Sequence, residues 1–479
     1  MGAPPASFVL LGMFLLGRAC AAGPPPDYAV VVSKSTHQDS GWSAVVAALV
    51  EKHRAVAILY DAAITDALPA LRSQHPRYTC FVARPAEATR QFVADVHRLA
   101  RRYDDDPYGD TRWGILTGYD AGNALRIARH AAPLVVRKVA SGTEVALELC
   151  AEGVWYSELI KNRMVRKAPG GSPVPGQGPD DTTGALADAL NIWAADLVVT
   201  SGHATERDWQ IGYRYRNGSF RSKAGSLFGV DTQGGRHEIR SPNPKVYLPI
   251  GNCLMGHIDG PDAMALAWMN SAGVHQMIGY TVPTWYGYAG WGCLDYFLEQ
   301  PGRFTFAEAF QANLRALEHR LATYFPGLAA DVVPPGTTRR PDTLGDAARA
   351  AGLETQDGAG LLYDRDVVAF YGDPAWEARM APAETRWDQS LTEEDGLWTF
   401  TVTPRRGKDA FTPVNANGAQ RGGRPIVQFL GARLADIRIL EGEDLDPVIA
   451  DDFILLPLPR TCDPDRAYRM RFAARRVAP

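Results

Sequence analysis

Apolar residues along the chain alternate between short continuous runs and helical spacing. Three short runs rich in β-branched and aromatic residues, at residues 28–33, 55–61 and 78–84, predict β-strands. Residues 85–103 carry apolar positions at helical spacing and end on basic residues, which is typical of a helix. Residues 112–130 then repeat a strand, a turn and a helix. This alternation predicts an α/β fold with a parallel sheet and helices on both faces.

The alternation resumes after a loop rich in proline and glycine at residues 168–181. Beyond this loop, and around a polar hairpin-like stretch, the pattern predicts strands at residues 196–203, 245–253 and 274–281 and helices at residues 183–195, 262–273, 292–300 and 304–325. We interpret the loop as the connection between an N-terminal α/β subdomain at 28–167 and a catalytic α/β subdomain at 182–385. An activation loop cut by a protease is the alternative interpretation.

The pattern changes again from about residue 391. Short runs of alternating apolar and polar residues, separated by turn residues, predict a small β-sandwich of the immunoglobulin-like type over residues 391–479. The length of 479 residues is too large for one ordinary domain and agrees with this division.

The N-terminal segment resembles a signal peptide over residues 1–22. Phe8 to Leu16 is a short apolar stretch, and Ala19-Cys20-Ala21 supplies small residues where a signal peptidase would cut. Lipid modification of Cys20 is the alternative. No later segment has about 18 uninterrupted apolar residues, so we expect a secreted, periplasmic or cell-surface protein with no stable membrane span.

Composition and charge exclude several classes of function. The chain has 46% hydrophobic and 22% charged residues, as ordinary globular proteins do. Its net charge is −4 and it has no strong basic block, so we expect no nucleic-acid partner. The sequence contains no P-loop, no Gly-x-Gly-x-x-Gly and no Gly-x-Ser-x-Gly motif, so we expect no nucleotide cofactor and no serine-hydrolase chemistry.

The cysteines are spread along the chain, at Cys20, Cys80, Cys150, Cys253, Cys293 and Cys462. Removal of a signal peptide would leave an odd number without close paired spacing, which predicts neither a zinc site nor a disulfide framework. An unpaired cysteine in an exported protein is therefore a candidate functional thiol.

Two predicted strands end in residues suited to thiol chemistry. One ends in Gly202-His203, and the other ends in Gly251-Asn252-Cys253, so the cysteine follows the histidine by 50 positions. Neighbouring parallel strands present their carboxyl ends at one edge of the sheet, so adjacency would place His203 and Cys253 across one cleft. An imidazole beside a thiol lowers its pKa or acts as its base, and amides of Cys253 and of the His203 turn would stabilise an oxyanion.

This order and distance resemble those of the caspase-like cysteine peptidases of clan CD, and more closely their gingipain-like branch. Three further stretches support the resemblance, which covers roughly residues 28–479: "RWGILTGYDAGNALRIA", the aromatic strip "EGVWYSELI" ahead of the histidine, and the Gly-Asp-Pro segment "VVAFYGDPAWEARM". The chain departs from the family pattern at Ala204, where glycine is usual, and at Asn252, where alanine is frequent.

The resemblance implies a cysteine endopeptidase that acts on protein or peptide substrates. It makes Cys253 the nucleophile and His203 the general base, with Gly202, Ala204 and Asn252 as oxyanion or supporting residues. Glu158, and less strongly Glu206, are candidates for a third residue that orients His203. Trp285 and Tyr286 lie in a stretch rich in glycine and aromatic residues, which resembles a substrate-facing loop; a packed aromatic turn is the alternative.

Two other interpretations stay open. Ala204 and Asn252 also suit a non-catalytic cell-surface or adhesion protein that retains the peptidase-like fold. A metal site could use His257, Asp259 and Asp262, with His203 and His275 nearby, and the acidic stretch at residues 103–110 could hold calcium. No HExxH-type pairing appears, and both acidic stretches are also typical of turns and solvated loops, so we expect no metal.

Overall fold

The computed structural model describes residues 27–414, 423–459 and 461–477. The predicted signal peptide, residues 1–22, lies outside the described residues. The elements up to residue 167 are β1 (Tyr28–Ser33), α1 (Lys34–Gln38), α2 (Ser40–His53), β2 (Val56–Tyr60), α3 (Leu68–Gln74), β3 (Tyr78–Val82), α4 (Arg90–Ala100), β4 (Arg112–Leu116), α5 (Ala121–Arg129), β5 (Leu134–Val136), β6 (Lys138–Ser141), β7 (Glu152–Tyr156) and β8 (Arg163–Lys167).

The middle of the chain continues with β9 (Val174–Gln177), α6 (Thr183–Asn191), β10 (Leu197–Thr200), β11 (Asp208–Gln210), β12 (Ser219–Lys223), β13 (Ser226–Val230), β14 (Arg236–Ile239), β15 (Lys245–Pro249), α7 (Met264–Asn270), β16 (Val274–Tyr280), α8 (Tyr288–Phe297), α9 (Phe306–Tyr324), α10 (Pro326–Ala329), α11 (Asp346–Ala350), α12 (Thr355–Asp364), β17 (Val368–Gly372) and β18 (Ala378–Met380). The last strands are β19 (Trp387–Glu394), β20 (Leu397–Pro404), β21 (Ile426–Phe429), β22 (Leu434–Glu441), β23 (Val448–Ile449), β24 (Phe453–Leu456) and β25 (Tyr468–Arg476).

Side-chain caps decide where the predicted helices begin. The helix predicted over residues 85–103 begins only at Arg90, because the Thr89 hydroxyl accepts the amide of Phe92. The helix predicted over residues 304–325 begins at Phe306, where Thr305 and Glu308 form a reciprocal capping box.

Both predicted α/β subdomains contribute strands to one sheet, in the order β2-β1-β3-β4-β17-β16-β15-β10-β6-β7-β8-β9. The five strands from β2 to β17 run parallel to one another, and so do the five from β16 to β7, but β16 and β17 are antiparallel. The sheet is therefore mixed and mostly parallel, rather than wholly parallel as the sequence pattern predicts. One consequence is that the carboxyl ends of β6, β7, β10, β15 and β16 meet at a single edge.

Several central strands have no exposed position. Every residue of β1, β4, β15, β16 and β17 is buried, so both faces of the sheet are covered over these strands. Continuous apolar runs are typical of strands in this position, which explains why the sequence pattern identified most of them.

The stretch rich in proline and glycine is not a free loop. Its residues 174–177 form β9, which pairs antiparallel with β8 and is fully exposed at the edge of the sheet. Pro175 lies within this strand, and a proline at an edge lacks the N–H that another strand would need for pairing. The predicted subdomain limits themselves stay predictions.

The C-terminal strands form two small antiparallel sheets, β19-β20-β25-β22 and β21-β24-β23. The first sheet begins at Trp387, ahead of the change in pattern at residue 391. Ile454 and Leu456 of β24 face a core shared by the two small sheets, whereas Phe453 and Leu455 belong to the main core. Strand β24 therefore lies between two cores, and the C-terminal strands pack directly on the α/β part.

A bilayer-spanning helix is not found among the residues that the structure describes, since none of these helices combines sufficient length with sufficient hydrophobicity.

Candidate active site

Strands β10 and β15 are neighbours and run parallel. Their register pairs Leu197 with Val246 and Thr200 with Pro249, so the two strands end level with each other. The amide of Ile250 donates to the Thr200 carbonyl at 2.9 Å, which continues this pairing beyond the strand ends. The turns that carry His203 and Cys253 therefore leave the sheet side by side, at the edge where carboxyl ends meet.

Asn252 ties these two turns together. Its side chain is fully buried, accepts the Thr200 hydroxyl at 2.6 Å and donates from Nδ2 to the Gly202 carbonyl at 3.1 Å. An alanine at this position would leave the Gly202 carbonyl without this donor. The Asn252 side chain therefore connects the turn after β10 to the turn after β15.

Cys253 lies in a turn with a strained backbone. The thiol is partly exposed, and the next residue, Leu254, has φ of 58°, a left-handed conformation that is unusual for a bulky side chain. The Leu254 amide donates to the Val282 carbonyl at 3.2 Å, which holds this conformation. The amide of Thr284 donates to the Cys253 Sγ atom at 3.2 Å.

His203 is exposed at the end of the neighbouring turn. Its ring lies against the ring of Tyr213, with centroids 4.7 Å apart and planes inclined by 32°. The preceding Gly202 has φ of 100°, which a residue with a side chain rarely adopts. Within the described residues, no hydrogen bond joins the imidazole to the Cys253 thiol, whose hydrogen-bond partner is the Thr284 amide.

Glu158 lies beside Gly202 in the His203 turn but makes no hydrogen bond to the His203 imidazole in the part of the chain that the structure describes. Its Oε1 accepts the Thr143 hydroxyl at 3.0 Å, its Oε2 is buried, and the Ser201 hydroxyl also lies close to the carboxylate. A Cβ atom on Gly202 would lie 3.2 Å from this Oε2. The Glu158 carbonyl accepts the Tyr213 amide at 2.8 Å, so Glu158 also holds the segment whose aromatic ring contacts His203.

Glu206, the weaker candidate for orienting His203, is engaged elsewhere. Its carboxylate contacts His257 Nδ1 at 3.1 Å, and its carbonyl accepts the Met264 amide at 2.7 Å. Ala204 forms a β-bridge with Trp209, whose indole donates to the Ser201 carbonyl at 2.7 Å.

We predict that Glu158 makes stability fall as the pH rises. Burial raises the pKa of Glu158 from 4.5 to about 7, against the lowering effect of the Thr143 and Ser201 hydroxyls. Between these values the carboxyl is protonated in the folded protein and ionised in the unfolded chain, so the free energy of unfolding decreases as the pH rises from 4.5 towards 7. In the wild type, this effect lowers the free energy of unfolding by up to about 3 kcal/mol, and Glu158→Gln should abolish it. The measurement is denaturant unfolding of both proteins at pH 5 and pH 8. Equal pH dependence in the two proteins would contradict this assignment.

The two predicted substrate-binding residues differ in exposure. Trp285 is 70% exposed and directly follows the residue whose amide contacts the thiol. Tyr286 packs against Tyr363, with ring centroids 5.3 Å apart. The Tyr363 hydroxyl donates to the Pro283 carbonyl at 2.9 Å. Trp285 is thus free to contact a ligand, whereas Tyr286 is part of the wall that supports this loop.

The side chains proposed for a metal site have other partners. Asp259 pairs with Arg207 at 2.8 Å, Asp262 accepts the Ala224 amide at 2.7 Å, and His275 contacts the Gly273 carbonyl at 2.9 Å. They do not converge with His203 in the described part of the chain.

Asp104, Asp106 and Asp110 of the acidic stretch do place carboxylate oxygens within 4.8 Å of one another. Each of them accepts a backbone amide of the same loop: Asp106, Tyr108 and Tyr103 are the donors. These hydrogen bonds account for the folding of the loop.

Sequence reasoning missed three residues of the site: Thr284, Tyr213 and Tyr363. Thr284 is the first residue of the stretch rich in glycine and aromatic residues, but its contact with the thiol depends on the position of this stretch after β16. Tyr213 and Tyr363 carry no sequence pattern that indicates the site: Tyr213 is held by the Glu158 carbonyl, and Tyr363 comes from α12.

The sequence matches no protein-family model, and it matches no curated protein. A solved structure described as "Structure of Protease" aligns with 96% of this chain and 98% of its own chain, at 10% sequence identity and a TM-score of 0.38. A similarity at this level carries no argument about fold or activity, so the family resemblance stays a prediction.

Proposed function

We propose that this protein is a cysteine endopeptidase with a caspase- or gingipain-like α/β core and an immunoglobulin-like C-terminal β-sandwich. The observation that carries the proposal is the pairing of β10 with β15, which places the His203 and Cys253 turns side by side at one sheet edge. The partly exposed thiol and the strained turn at Leu254 add support, because strained backbone clusters at active sites.

In the proposed reaction, His203 removes the proton of the Cys253 thiol, and Sγ attacks the carbonyl carbon of a peptide bond. Amides of Cys253 and of the His203 turn, at Gly202 or Ala204, stabilise the oxyanion. The C–N bond then breaks, and His203 returns the proton to the leaving amine. Water hydrolyses the resulting thioester, which regenerates the thiol and releases the new carboxyl terminus. Trp285 contacts the substrate beside the thiol.

The other cysteines support the choice of Cys253. Cys80, Cys150 and Cys293 are buried, and burial raises the pKa of each thiol, to about 12 for Cys150. A buried thiol of this kind is unreactive because the thiolate is the nucleophile.

In this proposal the N-terminal segment directs export, so that the substrates are proteins or peptides outside the cytoplasm.

The proposal is tested by incubating the purified protein with a peptide library and with an unfolded protein, followed by mass spectrometry of new termini. We expect cleavage that is lost after treatment with iodoacetamide and kept in the presence of a chelator. Cleavage that survives complete alkylation of Cys253 would contradict a thiol mechanism.

A non-catalytic surface module is the second candidate. One observation favours it: no hydrogen bond joins His203 and Cys253 in the described part of the chain, and His203 lies against Tyr213 instead. Under this alternative no peptide is cleaved under any condition, and Cys253 reacts with alkylating reagents no faster than the partly exposed Cys462 does.

A further inference from the structure

The segment Thr281–Thr284, which follows β16, borders the candidate nucleophile and is bound at every residue. The Arg90 Nε donates to the Thr281 carbonyl at 2.6 Å, and the Leu254 amide donates to the Val282 carbonyl at 3.2 Å. The carbonyl of Pro283 accepts the Tyr363 hydroxyl, as described above. The segment is thus fixed by side chains or backbone of three separate parts of the chain.

Thr284 contacts the nucleophile turn at two points. Its amide donates to Cys253 Sγ at 3.2 Å, and its hydroxyl donates to the Asn252 carbonyl at 3.0 Å. The second hydrogen bond fixes the first, because it holds Thr284 against the peptide that precedes the sulfur. One residue therefore sets both the position of the thiol and the direction of the amide that points at it.

We propose that Thr284 stabilises the Cys253 thiolate through its backbone amide, with its own hydroxyl as the positioning group; this inference rests on the proposed peptidase function. An amide donates only weakly to a neutral thiol, but a hydrogen bond to an ionised acceptor is shorter and about twice as strong. A donor that favours the charged form moves its ionisation to lower pH. In this proposal the Thr284 amide stabilises the thiolate that forms when His203 removes the proton of the Cys253 thiol.

The other charged and titratable groups around the thiol come from different elements. Tyr363 of α12 faces Cys253, and burial raises the pKa of Tyr363, so it stays neutral. Tyr286 and Arg90 lie next to Tyr363, and Arg90 contacts His257, which pairs with Glu206. His203 approaches from the β10 turn. Substitutions of the Thr284 hydroxyl leave all of these groups in place.

The test compares Thr284→Val, which keeps the branched shape and loses the hydroxyl, with Thr284→Ser, which keeps the hydroxyl. The rate of iodoacetamide modification at Cys253 is measured from pH 5 to pH 10 by mass spectrometry. The pH at which this rate reaches half of its maximum, the midpoint, is then compared between each variant and the wild type. We expect the midpoint to rise by about one pH unit in Thr284→Val and to stay at the wild-type value in Thr284→Ser. Thr281→Val is the matched control, because it removes a hydroxyl bond to the Val367 carbonyl in the same segment and away from the thiol.

Equal midpoints in Thr284→Val and Thr284→Ser would overturn the role of Thr284 while leaving a fast-reacting wild-type Cys253, and with it the proposed function, intact. A wild-type Cys253 that reacts no faster than Cys462 would overturn both. If the midpoint shifts as much in Thr281→Val as in Thr284→Val, the cause is a loss of order throughout the segment, and the inference is also overturned. If Thr284→Val does not fold, Thr284→Ala against Thr284→Ser gives the same comparison.

Discussion

Replacing Cys253 with alanine is expected to abolish peptide hydrolysis, by a factor on the order of 10⁵ or more, because removal of a covalent nucleophile leaves only binding and oxyanion stabilisation. Replacing His203 with alanine is expected to lower turnover about 10²- to 10⁴-fold, since it removes only the transfer of a proton. The measurement is kcat/KM on a peptide that the wild-type protein cleaves. The double variant is expected to be no slower than Cys253→Ala, because the two groups act in the same step.

Cys462→Ala is the matched control for this series. Cys462 is also partly exposed, but it lies in the connection between β24 and β25, and its sulfur contacts the Gly407 carbonyl. Its replacement should leave kcat/KM unchanged. Hydrolysis that persists in Cys253→Ala at more than a hundredth of the wild-type rate would place the nucleophile elsewhere.

Asp373→Asn is expected to lower the free energy of unfolding by about 3–5 kcal/mol, because it leaves the largely buried Lys52 ammonium without its counter-charge. The Asp373 side chain is 1% exposed and lies 2.7 Å from both Lys52 Nζ and His53 Nε2 at the end of α2. It also accepts the Tyr28 hydroxyl of β1 at 2.7 Å. This one carboxylate therefore connects β1, α2 and the Gly-Asp-Pro segment that follows β17.

The surface pair of Lys34 and Asp61 offers a control at the same distance, 2.7 Å, with side chains 52% and 70% exposed. Asp61→Asn should cost less than about 1 kcal/mol, because solvent screens exposed pairs. Denaturant unfolding of both variants gives the comparison. A loss below 1 kcal/mol for Asp373→Asn would contradict the role of this carboxylate.

We also expect Asp373 to cause part of the loss of protein stability at low pH. Burial alone would raise its pKa, but the hydrogen bond from His53 and the charge of Lys52 outweigh burial and hold the pKa of Asp373 well below its ordinary value. A carboxyl whose pKa is depressed in the folded state stabilises the protein above the pKa of the unfolded chain, near 3.9. This contribution to the free energy of unfolding is lost as the pH falls below that value. In Asp373→Asn, the free energy of unfolding should therefore decrease less between neutral and acidic pH than it does in the wild type.

Local pattern was sufficient to predict most elements of the α/β part. The runs that became β1, β3, β15 and β16 are almost wholly buried and predominantly apolar, and the sequence shows this pattern directly. The reversal of direction between β16 and β17 leaves no such record, because it depends on which strands pair across the middle of the sheet. Strand β9 was missed because Pro175 is tolerated only at an edge, and the sequence does not show where the edge lies.

The candidate site was predicted only in its chemistry-bearing residues. His203 and Cys253 were proposed because each follows glycine near the end of a predicted strand, and their roles stay predictions. The hydrogen bonds of the Asn252 side chain to Thr200 and Gly202 could not be predicted, because they depend on the pairing of β10 with β15. Thr284 acts through a backbone amide, which every non-proline residue has, so no residue type could have indicated it.

The reactivity of Cys253 tests the central claim most directly. The folded protein is treated briefly with a limiting amount of a fluorescent alkylating probe at neutral pH, and the labelled cysteine is identified by peptide mass spectrometry in the wild type and in His203→Ala. Cys462 serves as the partly exposed reference, and Cys80, Cys150 and Cys293 as buried references within the same molecule. A thiol activated by its surroundings predicts that Cys253 is labelled first and well ahead of Cys462, and that its rate falls in His203→Ala. Labelling of Cys462 ahead of Cys253, with no effect of His203→Ala, would contradict the proposed catalytic thiol.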